Sequence, residues 1–134
     1  MIILISLLTI LAHSPKIKIE NAWVRPAGKG MNSALYFNIA NNNIKPDVLY
    51  KVSSPVAELV QMHKTVEING LAEMKQIKSV TIPANKRIEF KPGSYHVMLI
   101  QLKRDLNVGQ KIDFIFYFKK AGRIKISAIV KAEQ

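Results

Sequence analysis

The sequence predicts an all-β protein, an antiparallel sandwich or barrel, and three observations carry that expectation. Short apolar segments, most of them alternating with polar residues, recur at close spacing from Ile17-Lys18-Ile19-Glu20 to Arg123–Val130. Turn-forming clusters separate them, among them Gly28-Lys29-Gly30, Asn41-Asn42-Asn43, Asn69-Gly70, Pro83-Ala84-Asn85 and Lys91-Pro92-Gly93; such residues punctuate short strands. No stretch keeps the 3.6-residue apolar period of a long amphipathic helix. Eight to ten strands in 134 residues make one domain with one core.

The N-terminal segment stands apart from this pattern. Ile2–Ala12 is apolar except for Ser6 and Thr9, shorter than the roughly 20 residues that span a bilayer and of the right length for the core of a signal peptide. Ala12 and Ser14 supply small residues at the positions a signal peptidase reads, so residues 1–14 are expected to be a signal peptide and 15–134 the single β domain. No Lys or Arg precedes the run, and Pro15 would follow the cut. A signal peptide truncated by a misassigned start, an uncleaved N-terminus that holds the protein to the membrane, or a first strand are the other readings. Under all but the last the domain is exported, and His13 is no ligand if the signal is removed.

Beyond Lys16 the expected strands are Ile17–Glu20 continued by Ala22–Val24, then Ala34–Ala40 and Val48–Val52. A hairpin with arms Gln61–Ile68 and Leu71–Ile77 turns at Asn69-Gly70, the strongest short-range hairpin signal. Val80–Ile82, Arg87–Phe90, Tyr95–Leu102, Lys111–Phe118 and Arg123–Val130 complete the set. Lys111–Phe118 alternates almost strictly, as a half-buried strand should.

Bulk properties exclude several function classes. Twenty Lys and Arg against nine Asp and Glu give a formal charge of +11, so the surface attracts anions. The basic residues are scattered through strand-like segments, and no zinc-finger or RNP signature occurs, so no nucleic acid is expected as a partner. An acidic protein or an anionic membrane surface fits the charge as well. The chain has no cysteine, which removes blue-copper electron transfer, thiol-disulfide exchange and thiolate metal traffic.

Histidines and methionines concentrate in one region. Met62-His63, Met74 and His96-Val97-Met98 hold two of the three histidines and three of the five methionines. Imidazole and thioether together form a soft ligand set that favours monovalent copper. His96 and Met98 are two apart on a strand and leave the same face. With the turn at Asn69-Gly70, Ile68 faces Leu71, Thr65 faces Met74 and His63 faces Gln76. His63 and Met74 are then diagonal neighbours about 7–8 Å apart at the backbone. A methionine in a strand is ordinarily core filler, and a lone histidine is ordinarily a hydrogen-bonded surface group; the conjunction of four compatible residues favours a metal. Met62 should point to the opposite face and serve the core. Met31 has no assigned role. Trp23 and Tyr95 read by default as ordinary core or turn aromatics, although Tyr95, next to a candidate ligand in sequence, is also a candidate shield against water.

The pattern His63, ten residues, Met74, twenty-one residues, His96-x-Met98 resembles the copper motif of the periplasmic copper(I) chaperones of the PCuAC family. Ala22-Trp23-Val24-Arg25-Pro26, Ala34-Leu35-Tyr36-Phe37, Ile82-Pro83-Ala84, Lys91-Pro92-Gly93-Ser94-Tyr95-His96-Val97-Met98-Leu99-Ile100 and Gly109 are also similar, so the likeness covers nearly everything from Glu20 to Val130. It implies a cupredoxin-like, immunoglobulin-like β architecture and a single Cu(I) held by His63, Met74, His96 and Met98. It also implies a periplasmic location and delivery of copper to the binuclear centre of cytochrome c oxidase subunit II, or to an intermediate copper carrier. Some members carry a His/Met-rich C-terminal extension; the sequence ends at Gln134 without one, and a second copper site there is not expected. Membrane association is expected only through an uncleaved N-terminus.

An enzyme is not expected. No nucleophile elbow, Walker loop or His-Glu-x-x-His occurs, and the carboxylates form no acid/base pair. A four-ligand site also lacks the open position that catalytic metals keep. Copper storage or resistance through the same residues, and a structural β-sandwich interaction module, are the alternative functions.

Overall fold

Alternating apolar residues and repeated breaks at Gly, Pro, Asn or Ser leave this chain only short extended segments to build with. The computed structural model describes residues 16–133, and the expected signal peptide lies outside them. The strands are β1 (Ile17–Val24), β2 (Ser33–Asn41), β3 (Asp47–Ser53), β4 (Ala57–Ile68), β5 (Leu71–Gln76), β6 (Val80–Ile82), β7 (Arg87–Phe90), β8 (Tyr95–Leu102), β9 (Lys111–Phe118) and β10 (Gly122–Val130). They hydrogen-bond into one continuous sheet in the order β5-β4-β8-β7-β2-β1-β10-β9-β3-β6, with β2 pairing along its length with both β7 and β8. The all-β expectation holds. β4 begins four residues before the expected arm.

The sheet folds over on itself. Phe37 of β2 stacks on Phe90 of β7 with ring centroids 4.4 Å apart, and meets Phe116 of β9 edge-on at 4.8 Å. Strands far apart in sheet order therefore share one core, as in a two-layered sandwich. Ile112, Phe114, Phe116 and Phe118 bury every second side chain of β9, as its alternation required, and Leu35, Ile39, Leu49, Ile82, Val97 and Leu99 complete the centre.

Bulges let single strands serve this geometry. Ile17 and Val24 are both buried although seven residues apart, which in a regular strand would put them on opposite faces. The β1–β2 register shifts between Glu20 and Trp23, where Asn21 takes φ 55°. The extra residue reverses the facing, so β1 starts in the core with Ile17 and Ile19 and ends there with Val24, leaving Trp23 on the outer face. After the bulge, Trp23 and Val24 pair in parallel with Ile129 and Val130 of β10. β1 thereby joins the two layers. The Asn69-Gly70 turn has φ of 50° and 78°, the doubly positive conformation of a tight hairpin that this dipeptide favours.

Because Phe37 contacts aromatic rings of both layers, Phe37→Ala should cost about 3–5 kcal/mol. Urea unfolding should show a lowered midpoint with little change in slope.

Candidate metal centre

The hairpin and a long-range strand pairing together set one face of the sheet. Within the hairpin, His63 is opposite Gln76, Thr65 opposite Met74 and Ile68 opposite Leu71, the register its sequence implied. On its other side β4 pairs with β8, placing His63 opposite His96, Gln61 opposite Met98 and Met62 opposite Val97. Residues directly opposite one another share a face, so His63, His96, Met74 and Met98 all stand on the same side. It is the outer side: Met62 and Val97 point the other way and are buried in the core. Met62 is therefore core, as expected. Met31 is exposed and belongs to the loop between β1 and β2.

The two histidines form the centre of the arrangement. Their ring centroids are 5.7 Å apart. His96 is only 3 % exposed, and His63 is half-buried. Each ring is held by the residue two positions earlier: His63 by the Gln61 side chain, which the strand period places on the same face, and His96 by the backbone of Ser94 in the turn that leads into β8. His96 Nδ1 lies 3.2 Å from the Ser94 carbonyl oxygen; a carbonyl can only accept, so Nδ1 carries the proton and donates. His63 Nε2 likewise donates to Gln61 Oε1 at 3.0 Å. The remaining nitrogens, His63 Nδ1 and His96 Nε2, are buried and have no hydrogen-bond partner. With the first nitrogen of each ring protonated, the second is a bare lone pair. Two buried lone pairs without donors cost free energy in a protein with nothing to bind, whereas metal-ligating imidazoles characteristically have one nitrogen hydrogen-bonded and the other free.

The thioethers approach from opposite diagonals of His63. Met98, on β8, is next to Gln61 across the strand pair and half-buried. Met74, on the edge strand β5, is 59 % exposed. His96, Met74 and Met98 line a cavity of about 270 Å³ together with Arg25, Tyr36 and Thr65; His63 is not on its wall and adjoins it beside His96. No group of three or more His, Cys, Asp or Glu able to hold a metal occurs among the described residues. The donors present are thus nitrogen and thioether sulfur, which suit copper(I) and not the hard cations.

The aromatic shield differs from the expected one. Tyr95 precedes His96, so it leaves the opposite face and stacks on Phe90 at 5.4 Å. Its place is taken by Tyr36 of β2, 6.4 Å from His96 and itself covered by Trp23 at 4.8 Å and by the Arg25 guanidinium at 5.2 Å. Burial pushes the Tyr36 hydroxyl above its ordinary pKa, with the Arg25 charge opposing and the Glu133 charge adding a smaller upward push. The phenol therefore stays neutral beside the histidines. Gln61 was open to discovery from the period-2 rule; the Ser94 carbonyl, a main-chain group in a turn, was not, and neither were Tyr36 and Arg25, because strand pairing across some sixty residues brings them here.

The chain matches the LpqE-like family over residues 17–130. It is 33 % identical to Lxx21020 of Leifsonia xyli subsp. xyli, named a lipoprotein, over 86 % of this chain and 69 % of that protein. Identity to RP573 of Rickettsia prowazekii is 36 % over 72 % of this chain, which spans 56 % of that protein's length. Among solved structures, the copper-bound PCuAC domain from PmoF2 superposes with a TM-score of 0.74 at 30 % identity, covering 91 % of this chain and 97 % of that domain. Copper(I)-bound DR1885 from Deinococcus radiodurans superposes with a TM-score of 0.66 at 26 % identity, covering 84 % of this chain and 78 % of DR1885.

Burial, and secondarily the neighbouring His96, push the His63 imidazolium below its ordinary pKa of 6.5. The unfolded chain then binds more protons than the folded one as pH falls through 6.5, so this group's contribution to stability is present above that value and is lost on acidification towards the lower folded pKa. An NMR titration of the metal-free protein should place the His63 midpoint below 6.5, and His63→Gln should flatten the corresponding part of the pH–stability curve.

Proposed function

The chain belongs to the LpqE-like family and has the PCuAC fold, and from that footing we propose that it is a copper(I) chaperone. It binds one Cu(I) through His63, His96, Met74 and Met98. The observation that carries this reading is the pair of buried, unpartnered imidazole nitrogens, His63 Nδ1 and His96 Nε2, on a face that also holds two thioethers. The copper contained in the PmoF2 and DR1885 structures supports the choice of metal. Export is supported by the lipoprotein name of the Leifsonia relative, and the periplasm is the compartment we assign to it; no helix of the described residues is long and apolar enough to cross a membrane.

The site's asymmetry supplies a mechanism for release. The histidines are tethered at Ser94 and Gln61, and His96 sits near Tyr36, whereas Met74 stands on an edge strand in contact with solvent. An uncharged, weakly basic thioether at the rim is the ligand an acceptor can replace first. The histidines hold the ion while the incoming ligand adds. Neutral ligands leave the copper charge uncompensated, and the formal +11 of the chain directs the loaded protein to an acidic acceptor. Cytochrome c oxidase subunit II, at its binuclear copper centre, or an intermediate copper carrier is the acceptor we assign to it. The protein transfers its ion without chemical turnover and is not an enzyme.

Competition with a copper(I) chelator under anaerobic conditions should give one Cu(I) per chain, and calorimetry should give weaker binding of zinc. Met74→Leu and Met98→Leu keep volume and polarity, so stability should change by less than about 1.5 kcal/mol while copper(I) affinity falls about tenfold or more, equivalent to about 1.4 kcal/mol. Parental affinity in both variants would show that the thioethers do not coordinate.

Stopped-flow transfer to a copper-free oxidase subunit II domain should accelerate as salt is lowered, because the screening length grows from about 8 Å at physiological ionic strength to about 30 Å at 0.01 M. No transfer at any salt would point to storage, or to an intermediate carrier as the acceptor, in place of direct delivery to the oxidase.

A further inference from the structure

We propose that the end of the sandwich carrying Ile44 is a membrane-docking surface, which seats the domain on a bilayer containing anionic lipid headgroups. This inference does not depend on what the histidine face binds.

Ile44 is 86 % exposed, and the loop that presents it is held by specific bonds. Asn41, with no exposed surface at all, donates from Nδ2 to the Lys45 and Ile82 carbonyls and accepts from the Asn43 backbone N–H. A buried asparagine thus fixes a loop whose most prominent side chain is an isoleucine in water. Three lysines, Lys16, Lys45 and Lys120, ring a cavity of about 420 Å³ beside it. The one carboxylate among its lining residues, Asp47, is 2 % exposed and accepts hydrogen bonds from the backbone N–H groups of Val48, Lys120 and Ala121 at 2.7–2.9 Å. Its charge is spent inside the fold, and the end presents cations around an apolar tip.

An apolar tip inside a basic collar is the chemistry of interfacial membrane binding: the tip enters the acyl boundary, and the ammonium groups meet anionic headgroups. The chain itself points the same way. Asn42 N–H donates to the Lys16 carbonyl at 2.7 Å, tying the Ile44 loop to the residue where the described fold begins, and the apolar run Ile2–Ala12 precedes that residue in sequence. Along β2 the loop lies five residues beyond Tyr36, about 17 Å from the histidine face at the usual rise per residue. Docking by this end leaves that face clear.

The test is co-sedimentation of the full chain with vesicles of phosphatidylglycerol and phosphatidylethanolamine, beside vesicles of phosphatidylcholine. Every variant keeps the same N-terminal run, so differences between them isolate the loop. Binding should favour the anionic vesicles, and Ile44→Ser should weaken it roughly tenfold. Lys45→Gln with Lys120→Gln should weaken it about 25-fold, at about fivefold for each lysine lost near the surface. Leu71→Ser, which alters an exposed residue at the hairpin tip, should leave it unchanged, and circular dichroism and the thermal midpoint should match the parent throughout. Equal binding by all variants, an equal loss with Leu71→Ser, or no preference for anionic vesicles would overturn the proposal. Absence of vesicle binding would overturn it as well and leave the basic end to an acidic protein.

Discussion

The pairing of β4 with β8 is the constraint on which the rest depends. It sets His63 directly opposite His96, and with the same register sets Met62 opposite Val97 on the reverse side. Because side chains alternate across a strand, one register decides both what the core receives and what the outer face presents. A slip of one residue would turn the histidine of the shifted strand into the interior and bring its neighbour, Met62 or Val97, out of it. The apolar free energy of Met62, Val97, Leu99 and Leu35 therefore holds the site's geometry without any of them touching it.

That separation explains how a soft metal site can be built on a small domain. The four proposed ligands stand on the outer face, so their replacement need not open a cavity in the core. The tethers are also cheap in sequence: Gln61 and Ser94 each act two residues before the histidine they orient. Each fixes one imidazole nitrogen as a donor and leaves the other bare. Tyr36, with Trp23 and Arg25 packed on its ring, flanks His96 from the side of β2. The β1 bulge at Asn21 matters here as well, since it turns Trp23 outward onto Tyr36 while returning Val24 to the core.

What could be read from the sequence was local. Asn69-Gly70 demands positive φ at both turn residues and so fixes the hairpin register residue by residue, including His63 opposite Gln76 and Thr65 opposite Met74. The strict alternation of Lys111–Phe118 gave the core face of β9. What could not be read was set by distant pairings. Nothing in the local sequence states that Tyr36 comes to His96, and proximity in sequence pointed wrongly to Tyr95, which alternation turns away to Phe90. The start of β4 was obscured because Leu59 is outward and exposed while Ala57 and Val60 face inward or are covered, so apolar and polar residues do not alternate there. The bulge in β1 was equally hidden, since no glycine or proline marks it and Asn21 adopts its left-handed backbone at a cost other residues would find larger.

The proposed site is tested most directly at the two unpartnered imidazole nitrogens, where the metal is expected to enter. The direct measurement is nitrogen-15 NMR of the histidine side chains during anaerobic addition of copper(I). His63 Nδ1 and His96 Nε2 should shift together and saturate at one copper per chain, while His63 Nε2 and His96 Nδ1 keep their protons. Copper entering at the opposite nitrogens, or saturating without moving either ring, would contradict it.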